Sequence, residues 1–269
     1  FFTILNLIFF VLITNVEAGK PKRTNFVTGN IYEGTVVLWG GVQIELPKGK
    51  WEVVAKYSWD VLGIRYYGST LALLEKNTIK ALTEFNHVDT AGKRTADIDN
   101  WIQKVVMINK TDGCYLRREY YLVEKFQKGS AFNCLVVRHI DVMKEMYNPD
   151  FDEYKYSNFA ERVFKKWFKK NNIQAPSIMI ESQHWFYAKS VKNQIVSVGY
   201  KINPEMYGAD KIIFDSEETS EYHRSNINKH PSAKKFIENF VKLAVKRHKK
   251  FETDVKAKNI HKLDLSKYK

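Results

Sequence analysis

The sequence predicts an α+β fold: an antiparallel β-sheet with an amphipathic mid-chain helix and a long C-terminal helix packed on it. Three observations predict it. Short runs rich in Val, Ile, Tyr, Phe and Trp, separated by turn residues, dominate residues 35–140. Bulky apolar residues then recur at helical spacing over 159–168, and a longer helical stripe occupies 236–255. Strands, helix, hairpin and helix in that order suit one domain in which helices cover an antiparallel sheet.

Residues 1–18 come first. Phe1–Ile13 is apolar and is followed by Val16-Glu17-Ala18, which reads as a secretory signal with a small-residue cleavage site after Ala18. The run is shorter than the about 20 apolar residues a spanning helix needs, so a cleaved signal rather than an anchor is expected. The mature chain is then exported, periplasmic or extracellular, and soluble or peripheral to a membrane. It comprises a single domain over 19–258 and a basic, flexible tail over 259–269.

Within the domain, Thr35–Leu46 has strand composition and ends at the turn signal Pro47-Lys48-Gly49. Trp51–Tyr57 alternates apolar and polar residues. Thr70–Glu75 and Thr78–Phe85 flank Lys76-Asn77 as a tight hairpin. Trp101–Ile108 and Phe132–Ile140 are further strands, whereas Tyr115–Phe126 fits either period. Phe159, Val163, Phe164, Trp167 and Phe168 fall on one helix face, with Ser157 as N-cap and Asn171-Asn172 as the stop. Ser177–Lys189 and Gln194–Ile202 make a second hairpin, with Val196, Val198, Tyr200 and Ile202 on one side. Asn203–Ser225 reads as a long loop. The last helix starts near Pro231, where proline is tolerated, and carries Phe236, Ile237, Phe240, Val241, Ala244, His248, Phe251 and Val255 as its stripe.

Charge is unevenly distributed. The chain carries +13, but Lys229–Lys269 holds thirteen Lys or Arg against four acids, a local +9 that leaves only +4 elsewhere. For an exported protein such a segment points to lipid headgroups, glycans or an acidic protein partner, and no nucleic acid is expected. Lys242, Lys246, Arg247, Lys249 and Lys250 are the candidate anionic-surface residues, because they lie mostly off the apolar stripe. An apolar ligand on the aromatic-rich sheet is a further expectation.

Cys114 and Cys134 are the only cysteines. In an oxidising compartment they are expected to form one disulfide, whose loop would contribute about 3 kcal/mol. If Tyr115–Phe126 and Phe132–Ile140 were plain hairpin partners turning at Lys128-Gly129, Cys114 would face a residue near 143. The disulfide therefore predicts either a different pairing or a helix over 115–126.

No motif specifies a reaction: there is no G-x-S-x-G, no P-loop, no H-E-x-x-H and no S-x-x-K, and no cofactor or catalytic residue is assigned. The polar loop with Asp215, Glu217, Glu218, Glu221, His223 and nearby His230 is the one place where a cation could bind, with Glu221 and His223 sharing a face of an extended segment. Asp150, Asp152 and Glu153 form a weaker acidic group. His139 and His184 sit on strands and read as core residues, and Asn109-Lys110-Thr111 is a glycosylation acceptor.

The strand opening Leu46-Pro47-Lys48-Gly49-Lys50-Trp51, together with a packed C-terminal helix, resembles the PsbP-like α/β/α sandwich. The chain is also similar in style to exported bacterial proteins of unknown function. The first resemblance implies helices on a central antiparallel sheet, and neither implies a site. The function expected is non-enzymatic: binding or scaffolding at the anionic surface of a cell envelope. The alternative is a secreted metal-dependent hydrolase built on residues 215–230.

Overall fold

A computed structural model describes residues 22–61, 64–89, 114, 120–128, 131–142, 167–188, 194–210, 216 and 218–266. The α+β class holds: an eight-stranded antiparallel sheet carries a 27-residue C-terminal helix, α1 (Pro231–Ala257). In chain order the strands are β1 (Ile31–Tyr32), β2 (Thr35–Val37), β3 (Gln43–Glu45), β4 (Trp51–Val61), β5 (Ile64–Glu75), β6 (Thr78–Asp89), β7 (Tyr120–Lys128), β8 (Ala131–Asp141), β9 (Ile178–Ala188), β10 (Gln194–Ile202) and β11 (Ile260–Lys262). The main sheet runs β1-β4-β5-β6-β10-β9-β8-β7, and a small second sheet runs β11-β3-β2.

Local chemistry explains most of these elements. Lys76 and Asn77 both adopt positive φ (49° and 61°), the conformation a two-residue hairpin turn requires, and they join β5 to β6. The expected strand over Thr35–Leu46 is instead a hairpin: Gly40 and Gly41, at φ 77° and 82°, fold β2 back on β3 through a short 3-10 turn. In the Leu-Pro-x-Gly-x-Trp opening, Trp51 is 1% exposed and its Nε1 donates to the Pro47 carbonyl at 2.8 Å. Gly49 is needed there, since a Cβ would stand 2.5 Å from Leu73 Cδ1.

The two faces of the main sheet carry separate cores. One is filled from α1 by Ile237, Phe240, Ala244, Phe251 and Val255, which meet Leu135, Val137, Ile180, Phe186, Val198 and Tyr200 of β8, β9 and β10. The stripe expected for the helix is the side that docks, with Phe236 and Val241 at its half-buried margins. The opposite face holds Val54, Ala72, Leu82, Ile140 and Met179 under Trp167 and Phe168. Those two residues open the described end of the mid-chain helix, residues 167–171, and Trp167 Nε1 donates to Glu52 at 2.8 Å. Phe159, Val163 and Phe164 lie outside the described residues, as do the predicted strand Trp101–Ile108, the sequon at Asn109 and the acidic group at 150–153.

Two expectations are corrected. Residues 260–265 do not fray: β11 pairs in parallel with β3, Leu263 N–H donates to the Glu45 carbonyl at 3.0 Å, and His261, Leu263 and Leu265 are buried. Their period-two spacing is a short strand pattern. The hairpin and the disulfide, expected to exclude one another, coexist. β7 and β8 pair antiparallel with Lys128 opposite Ala131, and Cys114 is bonded to Cys134 with Cα atoms 6.2 Å apart. They are compatible because β7 starts at Tyr120, six residues beyond Cys114, so the ladder does not fix where Cys114 lies.

Candidate functional site

The candidate site is the outer side of α1. A helix whose apolar stripe is docked presents the residues about 180° from that stripe to solvent. Here these are Lys235, Glu238, Lys242, Lys246, Lys249, Thr253 and Lys256.

 Every one of the seven is exposed. Five are lysines, spread over roughly 31 Å of helix axis, and Glu238 is the only acid among them. Lys234 is exposed on the flank.

The structure separates the five residues expected to bind an anionic surface. Lys242, Lys246 and Lys249 fall on one exposed ridge, and among the described residues none of them has an ion-pair partner. Lys250 lies beside that ridge and is held at 2.9 Å by Asp254 one turn on, an i,i+4 pair that offsets part of its charge. Arg247 is a correction. It is buried, stacks 5.1 Å from the Tyr200 ring centroid and donates through Nη2 to the Asp264 carbonyl. Lying next to His248 on the docking stripe, it turns inward and ties α1 to the segment after β11. Lys256 also belongs to the ridge, although it is not among the five expected residues. Its signal was the seven-residue step from Lys249, and it is paired with Glu252 at 2.6 Å.

The helix is anchored at its C-terminal end as well as along its stripe. Its C-terminal end is closed by Lys258 in the left-handed conformation (φ 58°), whose N–H meets the carbonyls of Asp254 and Val255. Asp254 is buried at the end of the stripe and receives both Lys250 and His261 Nδ1, the latter at 2.9 Å.

The loop proposed for metal binding is arranged differently from its expectation. Residues 221–226 form turns rather than an extended segment, so a spacing of two does not put Glu221 and His223 on one face. Glu221 is directed to His230, 3.7 Å away. Burial pushes its carboxyl above the usual range, with His230 opposing and Asp210 adding to the rise. His223 is buried and turns the other way, with Nδ1 2.6 Å from Ser225 Oγ and its ring edge-on to His139 at 5.5 Å. Among the described residues no three His, Cys, Asp or Glu converge as a metal site would require. Asp215 and Glu217 lie outside the described residues.

A small cavity of about 40 Å³ opens on the main sheet at β4, β5 and β6, lined by Phe26, Trp39, Tyr57, Tyr67, Phe85 and His87. The larger cavity is an open trough of about 680 Å³ beside β3 and β11, floored by Leu46, Leu73, Tyr207 and Leu265 and rimmed by Lys48 and Lys80. Lys80 is paired with Glu75 at 2.5 Å.

The opposite face of the main sheet carries a chain of alternating charges. Arg138 on β8 meets Glu181 on β9 at 2.5 Å, Glu181 meets Lys201 on β10 at 3.2 Å, and Lys201 also bonds Glu84 on β6. Burial alone would push Glu181 up, but Arg138 and Lys201 outweigh it and hold the carboxyl at about 2. Burial likewise works against the Lys201 charge, and Glu181 and Glu84 reverse the effect, raising it above the usual lysine range. These four side chains balance in charge and join four neighbouring strands.

Fold and site together define an α+β protein in which a basic helix is clamped to an antiparallel sheet and presents a lysine ridge outward. No family model, curated protein or solved structure matches the chain. Among the described residues no helix is long and apolar enough to cross a membrane.

Proposed function

We propose that this is an exported, non-catalytic protein that docks on the anionic lipid surface of a cell envelope through the outer ridge of α1. The observation that carries the reading is the set Lys242, Lys246 and Lys249. They lie on one exposed helix ridge, with no ion-pair partner among the described residues, on a helix whose other side is buried in the core. Lysines near an anionic leaflet contribute about 1 kcal/mol each, so three of them with Lys235 and the flanking Lys234 suffice for peripheral, salt-sensitive attachment. The disulfide between Cys114 and Cys134 is compatible with an oxidising compartment. The rival hydrolase reading has less to stand on, because Glu221 and His223 engage different partners.

Flotation with vesicles tests the proposal. The protein is expected to float with vesicles containing anionic lipid at low salt, to stay behind with neutral vesicles, and to be released by high salt. Failure to float with anionic vesicles at low salt overturns it.

A further inference from the structure

Six of the seven histidines are buried. Three of them, His184, His248 and His261, line the seam between the main sheet and the C-terminal elements. His184 on β9 and His248 on α1 meet with their Nδ1 atoms 3.2 Å apart and their rings near parallel at 5.4 Å. Their other nitrogens are occupied as well: His184 Nε2 lies 3.2 Å from Ser182 Oγ, and His248 Nε2 lies 3.4 Å from Asn133 Oδ1. Phe251 stands between this pair and His261, 6.5 Å from one ring and 5.2 Å from the other.

The partners fix the protonation pattern. Asn133 Oδ1 can only accept, so His248 carries its proton on Nε2 and offers a bare Nδ1. His184 must then donate from Nδ1 and accept from Ser182 through Nε2. In that arrangement both rings are neutral and every ring nitrogen is satisfied. A further proton on His248 Nδ1 sets N–H against N–H, and one on His184 Nε2 turns Ser182 Oγ from donor to acceptor and leaves a buried positive charge.

Little nearby charge stabilises protonated rings. From α1, Arg247 faces the pair with its own positive charge, and Glu252 is paired with Lys256. From β10 the neighbour is the Tyr200 ring, from β8 it is Asn133, and from β11 it is His261. Asp254 is already engaged by His261 and Lys250. Glu181 and Lys201 belong to the charge chain on the opposite face of the sheet.

We propose that this seam is an acid-operated latch: mild acidification releases α1 from the main sheet while the charge-paired face stays closed. The electrostatics agree in direction. Burial, then His248, Arg247 and His261, push His184 well below the usual imidazole range. Burial holds His248 at about 4 against a small opposing effect of Glu252, and lowers His261 although Asp254 pulls the other way. Groups of this kind take up protons near 6.5 once exposed but resist them while docked. The docked state is therefore favoured above about pH 6.5 and loses ground as pH falls toward 4, by up to about tenfold per pH unit for each histidine. Release uncovers Ile180, Phe186 and Tyr200. The latch does not depend on lipid binding.

Hydrogen exchange of the full chain, with rates corrected for their intrinsic pH dependence, tests it. At about pH 5 the α1 amides are expected to exchange at least about tenfold faster than at pH 7.5, with β5 and β6 unchanged, and the H184N/H248N variant is expected to lose that acceleration. Equal α1 protection at both pH values overturns the proposal, as does simultaneous opening of β5 and β6 or an unchanged response in the variant. If the variant does not fold, an NMR titration of the wild-type histidines decides. His184 and His248 remaining neutral down to about pH 5 while docked supports the latch, and both titrating near 6.5 with α1 still protected overturns it.

Discussion

Beneath α1 the main sheet buries imidazoles that face one another with no carboxylate between the pair, whereas its other face holds a chain of four alternating charges, of which Glu181 and Lys201 are buried. His184 and His248 stay docked by remaining neutral. Arg138, Glu181, Lys201 and Glu84 stay docked by remaining charged. The difference separates the two faces by pH. A histidine held low destabilises the fold as pH drops below about 6.5, while a carboxylate held low keeps its contribution until pH falls below its unfolded value of about 4.3. Acid is therefore expected to loosen the helix side first and the paired side last.

Breaking the charged face has the largest expected effect. Glu181→Ala leaves Arg138 and Lys201 facing each other without a shared acid, and is expected to cost about 3–5 kcal/mol by denaturant unfolding at neutral pH. Replacing both cysteines, C114S/C134S, removes a crosslink anchored on that same face and is expected to cost about 3 kcal/mol in the same assay.

The helix side responds more gradually. Between about pH 6.5 and 4, unfolding free energy is expected to fall by up to 1.4 kcal/mol per pH unit for each neutral buried histidine. His248→Gln is expected to flatten that slope by about one histidine's share. A slope in the variant equal to that of the wild type would show that the pair does not control acid stability. Glu181 acts lower still: its stabilisation is present above about pH 4.3 and is lost as pH falls toward 2.

The same comparison explains what could be read in the sequence. The helix side was largely legible, because a docked helix writes its contacts at fixed spacing: the stripe from Ile237 to Val255 is the buried side of α1. The Lys76-Asn77 hairpin and the alternation of Val196, Val198, Tyr200 and Ile202 were equally local. The charged face was not legible, since Glu84, Arg138, Glu181 and Lys201 come from four strands and meet only through sheet register. Arg247 misled because its charge suggested solvent, while its place beside His248 turns it into the core. β11 was missed because three residues are too few for a period to stand out, although His261, Leu263 and Leu265 do alternate. Glu221 and His223 failed as a pair because their spacing was read on an extended chain and the chain turns there.

The lysine ridge is the smallest perturbation to the fold and the most direct test of the proposed function. The K242E/K246E/K249E variant changes only exposed positions, so its unfolding midpoint is expected to stay close to wild type. Flotation of that variant with anionic vesicles at low salt is the deciding measurement. Loss of flotation with a retained unfolding midpoint is the predicted result, and flotation equal to wild type would contradict the account.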